Sequence, residues 1–131
     1  MYMYEKNGML TGRDVVVRAL LLMGYTNAYG EIDVQNDAEL WKRGQNAVQQ
    51  VFDDLQRLEH PGKFIRSPLA MDEPIPLGYI AVQDIMPYGV AMFLAQSDGD
   101  GDMQAMFAQI YNRKRAGIPC HGTRRIDVLP R

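Results

Sequence analysis

The stretch from about residue 37 to residue 59 constrains the fold more than any other part of the chain. Leu40, Gly44, Ala47, Val48, Val51, Leu55 and Leu58 recur at spacings of three or four, with Trp41 and Phe52 flanking the stripe. That spacing gathers the apolar side chains on one face of a helix about 34 Å long at 1.5 Å per residue. A face of that length has to be buried, and other helices are its natural cover. Asn36 or Asp37 supplies an N-cap, Glu39 places negative charge in the first turn, and His60-Pro61-Gly62 ends the run. Gly44, inside the stripe, costs up to about 1 kcal/mol against alanine. Either the position tolerates that loss, or another helix approaches closely there.

Three further helices follow from the same kind of reading. Thr11 caps the first, over about 11–23, with Asp14 three residues later, and Val15, Val16, Ala19, Leu20, Leu22 and Met23 form its apolar face. Gly24 stands where a left-handed C′ residue ends a helix. The run Val15-Val16-Val17 is β-prone, but Arg13, Asp14 and Arg18 do not alternate with it as a strand requires. Asp84 caps a third helix, over about 84–97, with Pro87 in its first turn and Met86, Val90, Phe93 and Leu94 facing the core. After Asp98-Gly99-Asp100-Gly101-Asp102, Asp100 or Asp102 opens a fourth helix at about 101–115, with a stripe of Met103, Met106, Phe107, Ile110 and Tyr111. A link this short implies an antiparallel helical hairpin.

The intervening segments read differently. Residues 1–10 form a Met- and Tyr-rich leader, and residues 25–35, with Gly30, form a loop. Pro61, Pro68, Pro74 and Pro76 exclude a continuous helix over 61–82, which predicts an extended connector with a short strand pair at Phe64–Ile65 and Ile75–Leu77. Gly117 and Pro119 stop the fourth helix. The fold expected is therefore mainly α: a four-helix bundle-like domain over 1–115 with a Pro-rich connector, then an extended C-terminal arm over 116–131.

Charge divides just before that boundary, between residues 112 and 113. Residues 1–112 hold eight basic and fifteen acidic side chains, whereas Arg113, Lys114, Arg115, Arg124, Arg125 and Arg131 face only Asp127 beyond them. The basic end is either a solvated tail or an arm that docks on an acidic partner or nucleic acid. Nine Met residues against four Phe and one Trp favour adaptable packing surfaces. No run approaches the roughly 18 apolar residues of a bilayer span, and the first residues lack the pattern of a secretion signal, so no membrane contact is expected.

Reaction chemistry finds little footing. Asp98, Asp100 and Asp102 alternate as in a calcium loop, yet an EF-hand register from Asp98 would place Met103 and Gln109 where glycine and glutamate are required. A tight turn with capping aspartates accounts for the same residues. Cys120, the single cysteine, cannot form an internal disulfide and reads as a small hydrophobe. Its neighbour His121 would point to the opposite side of an extended chain, a poor arrangement for a catalytic pair. His60 and His121 are far apart, and no zinc spacing or phosphate-cradling glycine loop occurs. No catalytic or metal-binding residue is assigned, and no enzyme activity or cofactor is expected.

The stretch Ile85-Met86-Pro87-Tyr88-Gly89-Val90-Ala91-Met92-Phe93-Leu94-Ala95-Gln96-Ser97-Asp98-Gly99-Asp100 resembles the penultimate helix and turn of the head–tail connector (adaptor) proteins of tailed bacteriophages. Met106 through Arg115, ending Tyr111-Asn112-Arg113-Lys114-Arg115, is similar to their last helix. The earlier plan of short helix, long helix and Pro-rich connector, with Leu69-Ala70-Met71-Asp72-Glu73-Pro74-Ile75 inside it, is similar as well. The resemblance implies a virion protein that forms a ring of around a dozen copies between portal and tail, is monomeric when isolated, and extends the DNA channel with passive DNA contact. Its partners would be the portal protein and neighbouring connector or tail proteins. The basic end and its apolar neighbours, Arg113, Lys114, Arg115, Ile118, Arg124, Arg125, Ile126, Val128 and Leu129, are then the expected portal or subunit interface. The alternative reading is a small helical nucleic-acid-binding or regulatory module of prophage origin, built on the same arginines and lysine.

Overall fold

The computed structural model describes residues 10–25, 38–62 and 68–118. These form four α-helices: α1 (Gly12–Leu22), α2 (Ala38–Glu59), α3 (Met86–Ser97) and α4 (Gly101–Arg115). No strand occurs among the described residues. The helix boundaries lie close to those expected, because caps and breakers act locally. Thr11 and Asp14 form a reciprocal capping box, in which the Asp14 amide donates to the Thr11 hydroxyl and the Thr11 amide donates to the Asp14 carboxylate. Gly24, at φ 85°, closes α1 with bonds from Gly24 N–H to Leu21 and from Tyr25 N–H to Leu20. Gly99, at φ 76°, closes α3 in the same way. Asp100 then caps α4 by accepting from the Met103 amide at 3.0 Å. The Asp98–Asp102 string is a hairpin turn, and α3 and α4 pack side by side.

The third helical segment departs from expectation in its start and in the role of Asp84. Helix begins at Tyr79 and passes through a π-turn at Ala81–Ile85, closed by the Met86 amide on the Ala81 carbonyl, before continuing as α3. Pro87 supplies the reason. It has no N–H to offer the Gln83 carbonyl, and its ring crowds that carbonyl, so the chain widens by one residue just ahead of it. Asp84 therefore caps nothing. It lies on the outer surface of the π-turn, where it receives Lys114.

Helix α3 sits at the centre, packed on α1, α2 and α4. Met86, Val90, Ala91, Leu94 and Ala95 are buried around much of its circumference, which a single apolar stripe would not require. Val15, Val16, Ala19 and Leu20 of α1 and Val48, Val51, Phe52 and Leu55 of α2 complete the core. Two stripe residues do not take part. Leu22 and Met106, expected to face inward, are 40% and 49% exposed.

The described part of the connector fastens to the helices instead of pairing with itself. Thr11 and Pro74 form an isolated β-bridge, and the Ile75 amide donates to the Leu10 carbonyl. The Leu69 amide donates to the Gln49 side chain and the Gly78 amide to Glu59, both at 2.8 Å. Ile75–Leu77 is thus tied to the entry of α1; Phe64 and Ile65, its expected partners, lie outside the described residues.

Gly44 marks a close helix crossing. A Cβ at this position would stand 2.8 Å from Cγ1 and 3.2 Å from Cγ2 of Val16, which is fully buried. A β-branched side chain on a helix has little rotamer freedom with which to yield. Gly44→Ala is expected to lower stability by about 1 kcal/mol, because overpacking outweighs the gain in helix propensity. In a Val16→Ala background the same change should instead stabilise, by up to about 1 kcal/mol. Urea titrations of the four proteins in this cycle measure both signs.

Candidate interaction surface

Polar side chains at the helix ends are engaged in ties between elements. Asp54 on α2 accepts from the Tyr111 hydroxyl at 2.7 Å and from both Nε and a terminal nitrogen of Arg115 at 2.7 and 2.9 Å. The arginine fork thus grips the carboxylate bidentately across two helices. Burial alone would push the Asp54 carboxyl up, but the Arg115 and Tyr111 hydrogen bonds and the nearby Arg115 and Arg57 charges outweigh it. The group titrates below its ordinary value. Burial and the Asp54 hydrogen bond raise the Tyr111 hydroxyl, and the same carboxylate raises Arg115.

A second tie joins Tyr25, three residues past the end of α1, and Arg43 of α2 to the α3–α4 turn. Tyr25 donates its hydroxyl to Asp98, and Arg43 donates to Asp98 at 2.7 Å and to Ser97. Burial pushes the Asp98 carboxyl up, yet the Tyr25 and Arg43 hydrogen bonds dominate and hold it below its usual range. A third tie joins α4 to the π-turn. Lys114 contacts both Asp84 oxygens at 3.1 Å and lies 5.2 Å from the centre of the Tyr88 ring. Near the entry of α1, Arg13 contacts Asp72 at 2.9 Å and stacks 4.5 Å from the Trp41 ring.

Of the residues expected at the interface, Lys114 and Arg115 lie in the last turn of α4, as expected, and tie it to Asp84 and Asp54. Arg113 is exposed, and Ile118 packs on the core after a turn in which its amide bonds to the Arg115 carbonyl. Arg124, Arg125, Ile126, Val128 and Leu129 lie outside the described residues, as do Cys120 and His121. Among the described residues, no three His, Cys, Asp or Glu side chains group as a metal site. The turn aspartates face different ways: Asp98 toward Arg43 and Tyr25, Asp100 toward an amide.

A surface that the stripes did not reveal lies between the end of α1 and the start of the third helical segment. Leu21, Leu22, Tyr79 and Ile80 are 51%, 40%, 51% and 66% exposed, and with Pro87 and Tyr88 they line an open groove of about 480 Å³. Arg18 and Asp84 stand at its rim. The signal for it was present in the sequence. The unbroken apolar run from Ala19 to Met23 goes around the helix, so no single core face accommodates all of it. No helix among the described residues is long and apolar enough to cross a membrane. Comparison with protein-family models, with curated proteins and with solved structures returns no match.

Proposed function

We propose that this chain is a structural protein of a phage or prophage particle, a head–tail connector subunit that forms a ring between portal and tail and extends the DNA channel. The observation that carries this reading is the α3–α4 hairpin. The stretch that resembles connector proteins folds as two packed helices about a capped acidic turn. Its charged and phenolic side chains, Asp84, Asp98, Tyr111, Lys114 and Arg115, are committed to ties with neighbouring elements. Such a block suits a load-bearing subunit that must keep its shape while contacting several neighbours. The acidic body supports passive passage of DNA, since like charge keeps the duplex from adhering.

A closed ring needs two different complementary patches on each subunit. Arg113, Arg124, Arg125 and Arg131 against the acidic remainder of the chain have the required asymmetry. The partners in this reading are the portal protein and the next connector or tail protein. The locations are the bacterial cytoplasm during assembly and the head–tail junction of the finished virion. No catalytic step and no cofactor enter this reading. The nucleic-acid-binding alternative is less well supported, because Lys114 and Arg115 are already paired with Asp84 and Asp54.

Electron microscopy of the purified protein, alone and mixed with a phage portal protein from the same genome, tests the reading. The expected result is a ring of about a dozen subunits on one face of the portal and none on unrelated ring proteins. Absence of any portal complex, together with a steeply salt-dependent shift of duplex DNA, would replace it with the alternative.

A further inference from the structure

Leu21, Leu22, Tyr79 and Ile80 leave an apolar groove uncovered between the end of α1 and the start of the third helical segment. We infer that its occupant is the C-terminal segment of the same chain, with Ile126, Val128 and Leu129 seated against these side chains. The argument begins with where the described chain ends. Lys114 reaches Asp84, and Asp84 stands at the rim of the groove, so the last turn of α4 lies beside it. The chain then turns at Ala116–Gly117 and lays Ile118 on the core instead of continuing outward.

Ile126 follows eight residues later, and eight extended residues span up to about 28 Å. Tethered so near, the segment meets the groove at an effective concentration in the millimolar range, and modest contacts then suffice. Its composition also matches the site. Ile126, Val128 and Leu129 supply apolar area for the exposed Leu21, Leu22, Tyr79 and Ile80. The leader, residues 1–9, is the rival from within the chain. It joins at Leu10, which lines a neighbouring cavity of about 810 Å³ with Pro74, Ile75 and Leu77; Tyr79 borders both spaces, so trapping has to tell the two segments apart. The inference concerns the free subunit and does not depend on the connector reading.

Disulfide trapping in the full chain tests it. In a Cys120→Ser background, Ile80→Cys is combined with Val128→Cys and the protein is oxidised with oxidised glutathione at low micromolar concentration. The expected product is an intramolecular disulfide, seen as a faster-migrating monomer on a non-reducing gel. It should form at least tenfold faster than with Ile80→Cys and Met3→Cys combined. Leu22→Asp, at an exposed position in the groove, should slow it at least tenfold while circular dichroism stays unchanged. Covalent dimers on mixing the two single-cysteine proteins would overturn the inference in favour of a second copy as occupant. Faster trapping of Met3→Cys would overturn it in favour of the leader. Equal rates for both pairs, unaffected by Leu22→Asp, would show that no segment of the chain docks there.

Discussion

Gly89→Ala should destabilise the protein by about 2–3 kcal/mol, although alanine is the better helix former by up to about 1 kcal/mol. Gly89 lies in α3 where α2 and α4 both come close. A Cβ there would stand 2.8 Å from Cε1 and 3.0 Å from Cδ1 of Tyr111 on α4, and 2.9 Å from Cγ2 of Val51 on α2. Neither neighbour yields easily. Val51 is β-branched and fully buried, and the Tyr111 ring is held at its far end by the bond from its hydroxyl to Asp54. Moving the ring aside would stretch that bond and disturb the carboxylate gripped by Arg115. Thermal unfolding should shift down by roughly 10 °C for a domain of this size. The cost should also be non-additive with Tyr111→Phe, which frees the ring to move, so that Gly89→Ala costs less in that background. Urea and thermal unfolding of the four proteins decide the matter, and wild-type stability in Gly89→Ala would show that the three helices are not packed this closely.

Asp54→Ala is expected to cost about 2–3 kcal/mol near neutral pH. The carboxylate accepts three hydrogen bonds, and its loss strands the Tyr111 hydroxyl in a mostly buried setting. The figure is kept below the sum of three charge-assisted bonds because the Asp54 and Arg115 side chains remain 31% and 37% exposed, where solvent weakens the ion pair. Asp54→Asn, which preserves an acceptor for Tyr111 but not the charge, should lose about half as much. The pH dependence has a definite sign. Asp54 titrates lower in the folded protein than in the unfolded chain, whose value is about 3.9. Its contribution is therefore complete above that value and disappears as pH falls through the folded one. The stability difference between wild type and Asp54→Asn should be flat from about pH 5 to pH 8 and shrink below about pH 4. A difference that stays constant into strong acid would mean that the carboxylate is not the group that joins α2 to α4.

The segment over 84–115 shows where sequence patterns inform and where they stop. Its capped turn and its two helices follow from Asp100, Gly99 and the apolar spacing, all of which act within a few residues. The early start at Tyr79 was hidden because Pro87 reads as a first-turn residue, whereas the helix accommodates it by widening into a π-turn just ahead of it. The sequence shows Lys114 and Arg115 as the basic last turn of a helix beside Arg113, with nothing local to say that they form cross-links. Their partners, Asp84 and Asp54, lie 30 and 61 residues away, and no local pattern announces such pairs.

The groove divides in the same manner. The excess of apolar residues at the end of α1 can be counted from the sequence, and it exceeds what one helix face can bury. Which of them would be left outside depended on how α1 leans on α3, so Leu22 was counted in the core and Tyr79 and Ile80 were assigned to a connector. Helix identity, the helix ends other than the start of the third, and the short-linked hairpin were settled by the sequence alone, because hydrogen bonds within a turn and the 3.6-residue period depend on near neighbours. Which glycines sit at contacts, which charges pair and which apolar side chains remain uncovered were decided by tertiary structure, because each depends on two surfaces meeting that are far apart along the chain.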